Sequence, residues 1–197
     1  RTIDMINGPM LTNIVQFAIP VMLAAMLEMV FNAADTIIVG KFSGQHALAA
    51  VGATGSIVFF LTSLFGGLSS GVNVVVAKYI GRRDEDMIRK SVHTSYLTAA
   101  VGGILLTIAG VIAAKPLLEL MKTPEDIIGL SALYLRIFWL SSVFMMIYNF
   151  GSAILRSNGD TRRPFHYLAF AGMLNVVLNI FFVVVSKLNS IKRESIC

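Results

Sequence analysis

Glu28, Asn32 and Asp35 stand in one long apolar run, and Asn175 and Asn179 stand in another. At 100° per residue, Glu28 to Asn32 turns about 40° and Glu28 to Asp35 about −20°. The three side chains therefore share an arc of about 60°, with about 10 Å of helix rise between the two acids. Asn175 and Asn179 are one turn apart and again share a face. An ion at the centre of a bilayer costs about 2.5–3.5 kcal/mol on insertion scales, so such groups face a bundle interior or a water-filled cavity. Carboxylate and amide oxygens suit a hard cation such as sodium. A carboxyl in low dielectric has a raised pKa and can take a proton near neutral pH. Either chemistry lets ion movement drive solute movement; the alternative role is a hydrogen-bonded group that fixes helix register. If the two stripes face each other, Asp35, Asn175 and Asn179 form a carboxylate–amide cluster able to hold sodium or a proton. Glu28 and Asn32 then continue the same wall.

The elements that must position these groups are set by composition. Of 197 residues, 56% are hydrophobic and 14% charged, against about a quarter charged in soluble domains. Mean hydropathy is +0.76. Five apolar runs, roughly 11–40, 48–77, 92–114, 127–155 and 165–186, reach the ~18–20 residues a membrane helix needs. The prediction is an all-α, polytopic helical membrane protein with about five transmembrane helices. The breaks at 78–90, 115–126 and 156–163 collect most of the charge, and 187–197 reads as a hydrophilic tail. The first run is too long for a signal peptide. The lone cysteine, Cys197, excludes an intrachain disulfide.

A net charge of +5 does not imply nucleic acid here, because the basic residues gather at span ends. They set orientation instead. One side receives nine: Arg1, Lys78, Arg82, Arg83, Arg89, Lys90, Arg156, Arg162 and Arg163. The other receives three, Lys41, Lys115 and Lys122, and Lys187, Lys192 and Arg193 follow the last span. The amino terminus and the 78–90 and 156–163 loops are thus predicted cytoplasmic. Pro20 in the first run would kink its helix, and Gly67 and Gly71 have a spacing that lets helices approach closely. Tyr148 and Asn149 are candidates to line a cavity. No Gly-Lys-Ser/Thr loop, H-E-x-x-H or G-x-S-x-G is present, so enzyme chemistry is not expected. No cofactor is expected beyond a coupling ion, Na+ or H+.

Several stretches, in order along the chain, resemble the multidrug and toxic compound extrusion (MATE) transporters. "DTIIVGKFSGQHALAAVG" (35–52) is similar to the end of the family's first helix and the loop after it, and "SSGVNVVVAKYIGRRDEDMIRK" (69–90) to its second helix end and basic loop. "AILRSNGDTRRPFHYL" (153–168) resembles the R-x-x-G-D-x-R-x-P loop, here Arg156, Gly159, Asp160, Arg162 and Pro164; "LNVVLNIFFV" (174–183) resembles the fifth helix. The resemblance covers residues 8 to about 186. It implies an antiporter of the inner (plasma) membrane that exports cationic, amphipathic compounds in exchange for sodium ions or protons. Such carriers have twelve helices in two six-helix lobes that rock to alternate access. The chain would be the incomplete first lobe, with the bilayer, the exported compounds and a missing second lobe as partners. By resemblance, Asp35 is the first-helix aspartate of cation coupling and Asn175 a fifth-helix asparagine beside it. Asn179 falls where many members carry aspartate. Glu28 and Asn32 have no such match and rest on the helical arc alone. The tail at 187–197 is expected to mark a truncation or altered frame, leaving a chain inactive by itself. Rival readings are a lipid-linked sugar flippase, which should prefer a basic cavity, and a non-transporting scaffold or fragment.

Overall fold

The computed structural model describes residues 10–42 and 44–194, with side chains for 11–41 and 44–182. Six helices follow in order: α1 Met10–Phe42, α2 Gln45–Gly81, α3 Glu85–Leu120, α4 Glu125–Leu140, α5 Ser142–Ser157 and α6 Arg162–Glu194. α1, α2, α3 and the Arg162–Phe182 part of α6 are each long and apolar enough to cross a membrane; α4 and α5, bent by 45° at their junction, make a fifth span if taken together. The chain is thus helical and polytopic. Large apolar side chains such as Phe59, Ile112, Phe144 and Phe170 point outward at 72–75% exposure, as befits helices whose solvent is lipid.

Local signals account for the ends. Asp84 caps α3 by accepting from Met87 N at 3.1 Å, and Glu85 and Asp86 complement the positive end of the helix dipole in its first turn. The α5–α6 turn places Gly159 at φ 75°, with Gly159 N donating to Arg156 O at 3.0 Å and Asp160 N to Leu155 O at 3.0 Å. That left-handed step closes α5 and needs glycine.

Two features depart from the sequence reading. The 127–155 run, expected as one span, breaks at Ser141, whose N–H donates to Phe138 O at 3.1 Å, only three residues back. Its hydroxyl donates to the same carbonyl at 2.7 Å. Trp139 O is served across the bundle by the Thr107 hydroxyl of α3 at 2.9 Å. Two α3 glycines seat the bend. A Cβ on Gly103 would lie 2.7 Å from Val143 Cα, and one on Gly110 would lie 1.7 Å from the Trp139 ring. The second departure is α6, which continues helical through Glu194, beyond the apolar run expected to end at 186. Residues 195–197 of the expected tail lie outside the described residues.

The buried core belongs to α2–α5: Leu61 and Phe65 meet Ala99, Ala114 and Leu118, Ala132, Leu135 and Trp139, and Met146 and Phe150. α1 packs mainly on α6 and more lightly on α2, and α6 touches α5 lightly. Among the described residues α1 and α5 do not pack together. The α1–α6 pair therefore lies beside a four-helix core rather than within it.

Candidate functional site

The α1–α6 seam holds the polar groups. Gly172 of α6 lies under the Phe31 ring of α1, so close that a Cβ there would fall 1.8 Å from Phe31 Cε2. One turn further along α1 and two turns further along α6, Asn179 Nδ2 donates to Asp35 Oδ1 at 2.7 Å. Contacts that advance together along both helices make α1 and α6 parallel. Glycine at 172 is what brings the backbones near enough for short side chains to meet.

Asn175 completes a triangle with Asp35 and Asn179. With its amide nitrogen toward the carboxylate, it donates to Asp35 Oδ1 at 3.0 Å and Oδ2 at 3.1 Å. Turned over, its Oδ1 takes that position and accepts from Asn179 Nδ2 at 3.2 Å. The first orientation satisfies a bare carboxylate. The second sets three oxygens against one another, which a proton or a cation between them would stabilise. Among the described residues no three His, Cys, Asp or Glu side chains converge. One carboxylate and two amides suit a monovalent hard ion better than a transition metal.

The other two stripe residues separate from this cluster. Asn32 turns to its own helix, donating to Glu28 O at 2.9 Å, and Thr36 donates to Asn32 O at 2.9 Å. Glu28 instead lines a cavity of about 380 Å³ between α1, α5 and α6. Tyr148, Asn149, Arg156 and Thr161 also line it. Tyr148 Oη donates to Pro164 O at 3.3 Å, Asn149 Nδ2 donates to Met145 O at 2.8 Å, and the Thr161 hydroxyl is buried without a partner. Asp160 is buried beside it and accepts from Arg163 N at 3.2 Å, with Arg163 Nε at 3.1 Å from its other oxygen. Arg156, Thr161 and Gly172 were not legible as site residues: the first two read as loop polarity, and glycine is common in such spans.

Comparison with known proteins places these motifs. A profile described as MatE matches residues 20–181. The chain is 32% identical over 195 residues to "Probable multidrug resistance protein YpnP" of Bacillus subtilis (strain 168), covering 95% of this chain and 42% of that protein. It is 29% identical over 167 residues to "Probable multidrug resistance protein NorM" of Thermotoga maritima, covering 84% and 36%. Among solved structures, it is similar to a "MOP superfamily transporter from Pyrococcus furiosus", with TM-score 0.86, 27% identity, and 93% and 40% coverage. It also matches an "outward-facing conformation of a multidrug resistance MATE family transporter" with TM-score 0.85, 27% identity, and the same coverage. The chain spans about two fifths of the length of these relatives.

Proposed function

The chain is a multi-pass membrane protein of the MatE family, and from that premise we propose that it is the ion-coupling part of a multidrug antiporter of the plasma membrane. The observation that carries this reading is the Asp35–Asn179 hydrogen bond of 2.7 Å, with Asn175 on the same carboxylate, across a seam between two apolar helices. The solute is a cationic, amphipathic compound and the coupling ion is sodium or a proton. Transport itself belongs to a carrier in which this lobe is paired with a second.

Asp35 is the group that gains and loses the ion. Without it, the carboxylate is held by amide donors from Asn179 and Asn175. When the ion arrives, Asn175 turns its oxygen inward and the net charge of the seam falls to zero. A neutral seam no longer resists burial against a second lobe, so ion occupancy biases which way the lobes face. Pro20, inside α1, removes one backbone hydrogen bond and allows the amino-terminal part of the helix to bend while the Asp35 end stays bonded to α6. The basic residues, nine on one side against three on the other, or six with Lys187, Lys192 and Arg193 counted there, support a cytoplasmic amino terminus.

The test is efflux of a cationic dye from vesicles holding a two-lobe carrier that contains this chain, with sodium and pH gradients imposed separately. One gradient should accelerate efflux severalfold. Efflux indifferent to both gradients would end the antiport reading.

A further inference from the structure

We propose that the cavity between α1, α5 and α6 is a ligand site separate from the Asp35 cluster, and that it takes a zwitterionic amphiphile. The cationic end of such a compound would meet Glu28 and its anionic end Arg156 and Thr161. The proposal rests on the reading of the chain as part of a multidrug carrier.

Helix geometry puts the two charges at opposite ends of the cavity. Phe31 lies level with Gly172, and α1 and α6 are parallel, so Glu28 lies level with about residue 169 of α6. Arg156 and Thr161 flank the tight α5–α6 turn, level with Pro20 at the other end. Eight residues of α1 separate those levels, about 12 Å at 1.5 Å per residue. Between them the wall is mainly apolar, from Val21, Ala24, Phe165, Leu168 and Ala171, and its polar groups Tyr148 and Asn149 already donate to Pro164 O and Met145 O. A cavity of about 380 Å³ falls in the range of small-molecule pockets, ~300–1,000 Å³.

The polar groups at each end are uncommitted. Among the described residues Glu28 and Arg156 make no salt bridge, whereas Arg163 in the same loop is paired with Asp160 at 3.1 Å. Thr161 is only 3% exposed, and its hydroxyl has no partner. A buried hydroxyl left unpaired is destabilising, and a ligand oxygen held by Arg156 would satisfy it. A purely cationic compound would meet Glu28 well but would bring no partner for Arg156. A phospholipid with its phosphate at Arg156 would lay a hydrocarbon chain, not a cation, against Glu28. The zwitterion matches both ends.

Rhodamine B and its ethyl ester supply the probe, because they share a cationic chromophore and differ in one carboxylate. Binding to this chain in lipid nanodiscs is read by fluorescence anisotropy, with no gradient and no second lobe required. Rhodamine B should bind at least tenfold tighter than the ester. Arg156→Gln should bring the two dyes to equal affinity, and Arg156→Lys should keep most of the preference. Glu28→Gln should weaken both dyes, and Thr161→Val should weaken rhodamine B alone. Equal binding of the two dyes by the unaltered chain, or no binding of either, overturns the proposal. So does a preference that survives Arg156→Gln, or release of rhodamine B when the phosphatidylethanolamine content is raised, which would assign the cavity to lipid. None of these results bears on ion-driven efflux, so the site and the antiport reading fail or stand separately.

Discussion

Gly172→Ala tests how the α1–α6 seam is held together. An alanine Cβ would sit 1.8, 2.1 and 2.5 Å from three atoms of the Phe31 ring. Ordinary contact begins near 3.4 Å, so about 1.6 Å must be found, by 3.4 − 1.8. If the helices part by that amount, the 2.7 Å bond from Asn179 to Asp35 opens toward 4.3 Å and is lost. If Phe31 swings aside instead, it leaves its packed rotamer. Overpacking of this kind destabilises by about 1–3 kcal/mol. Reversible SDS unfolding in mixed micelles measures the change, with Gly129→Ala as the control because nothing lies within 4 Å of a Cβ there. In a Phe31→Ala background the penalty should vanish, giving a coupling of at least about 1 kcal/mol between the two positions. A Gly172→Ala protein as stable as the Gly129→Ala control, or an undiminished penalty without Phe31, would refute the close approach and the seam built on it.

Two further outcomes follow from the packing. Gly110→Ala drives a Cβ to 1.7 Å from Trp139, the chain's single tryptophan; its emission should shift to longer wavelength as the α4–α5 bend loosens, and an unchanged spectrum would contradict the seat described for that bend. Asp160→Ala removes both the cap on Arg163 N and the Arg163 ion pair, so the amides of Arg162, Arg163 and Phe165 should exchange several-fold faster with deuterium, in line with about 0.5–2 kcal/mol for a lost cap.

The parts of this architecture that follow from solvent were legible in the sequence. Apolar runs broken by charge announce membrane helices, and a carboxylate among them announces a polar interior, which is why Asp35, Asn175 and Asn179 stood out. The structure does bring those three together. It separates Glu28 and Asn32 from them, because Asn32 finds a partner in its own backbone and Glu28 opens onto a cavity that only the meeting of three helices creates. The break at Ser141 was hidden for a similar reason. No proline or glycine marks it, and the cause lies on another helix, in Gly103, Gly110 and the Thr107 hydroxyl. The far end of α6 was missed because hydropathy reports where lipid ends rather than where backbone hydrogen bonding ends.

The central claim is that Asp35 carries the coupling ion. Its most direct test compares Asp35→Asn with the unaltered sequence in a two-lobe carrier, reconstituted at equal density in vesicles with the driving gradient imposed. The substitution keeps the shape and a hydrogen-bond acceptor but removes the charge that an ion must neutralise. Gradient-driven dye efflux should fall to the level of protein-free vesicles while insertion is unchanged. Efflux at the unaltered rate would contradict the claim and take Asp35 out of the mechanism.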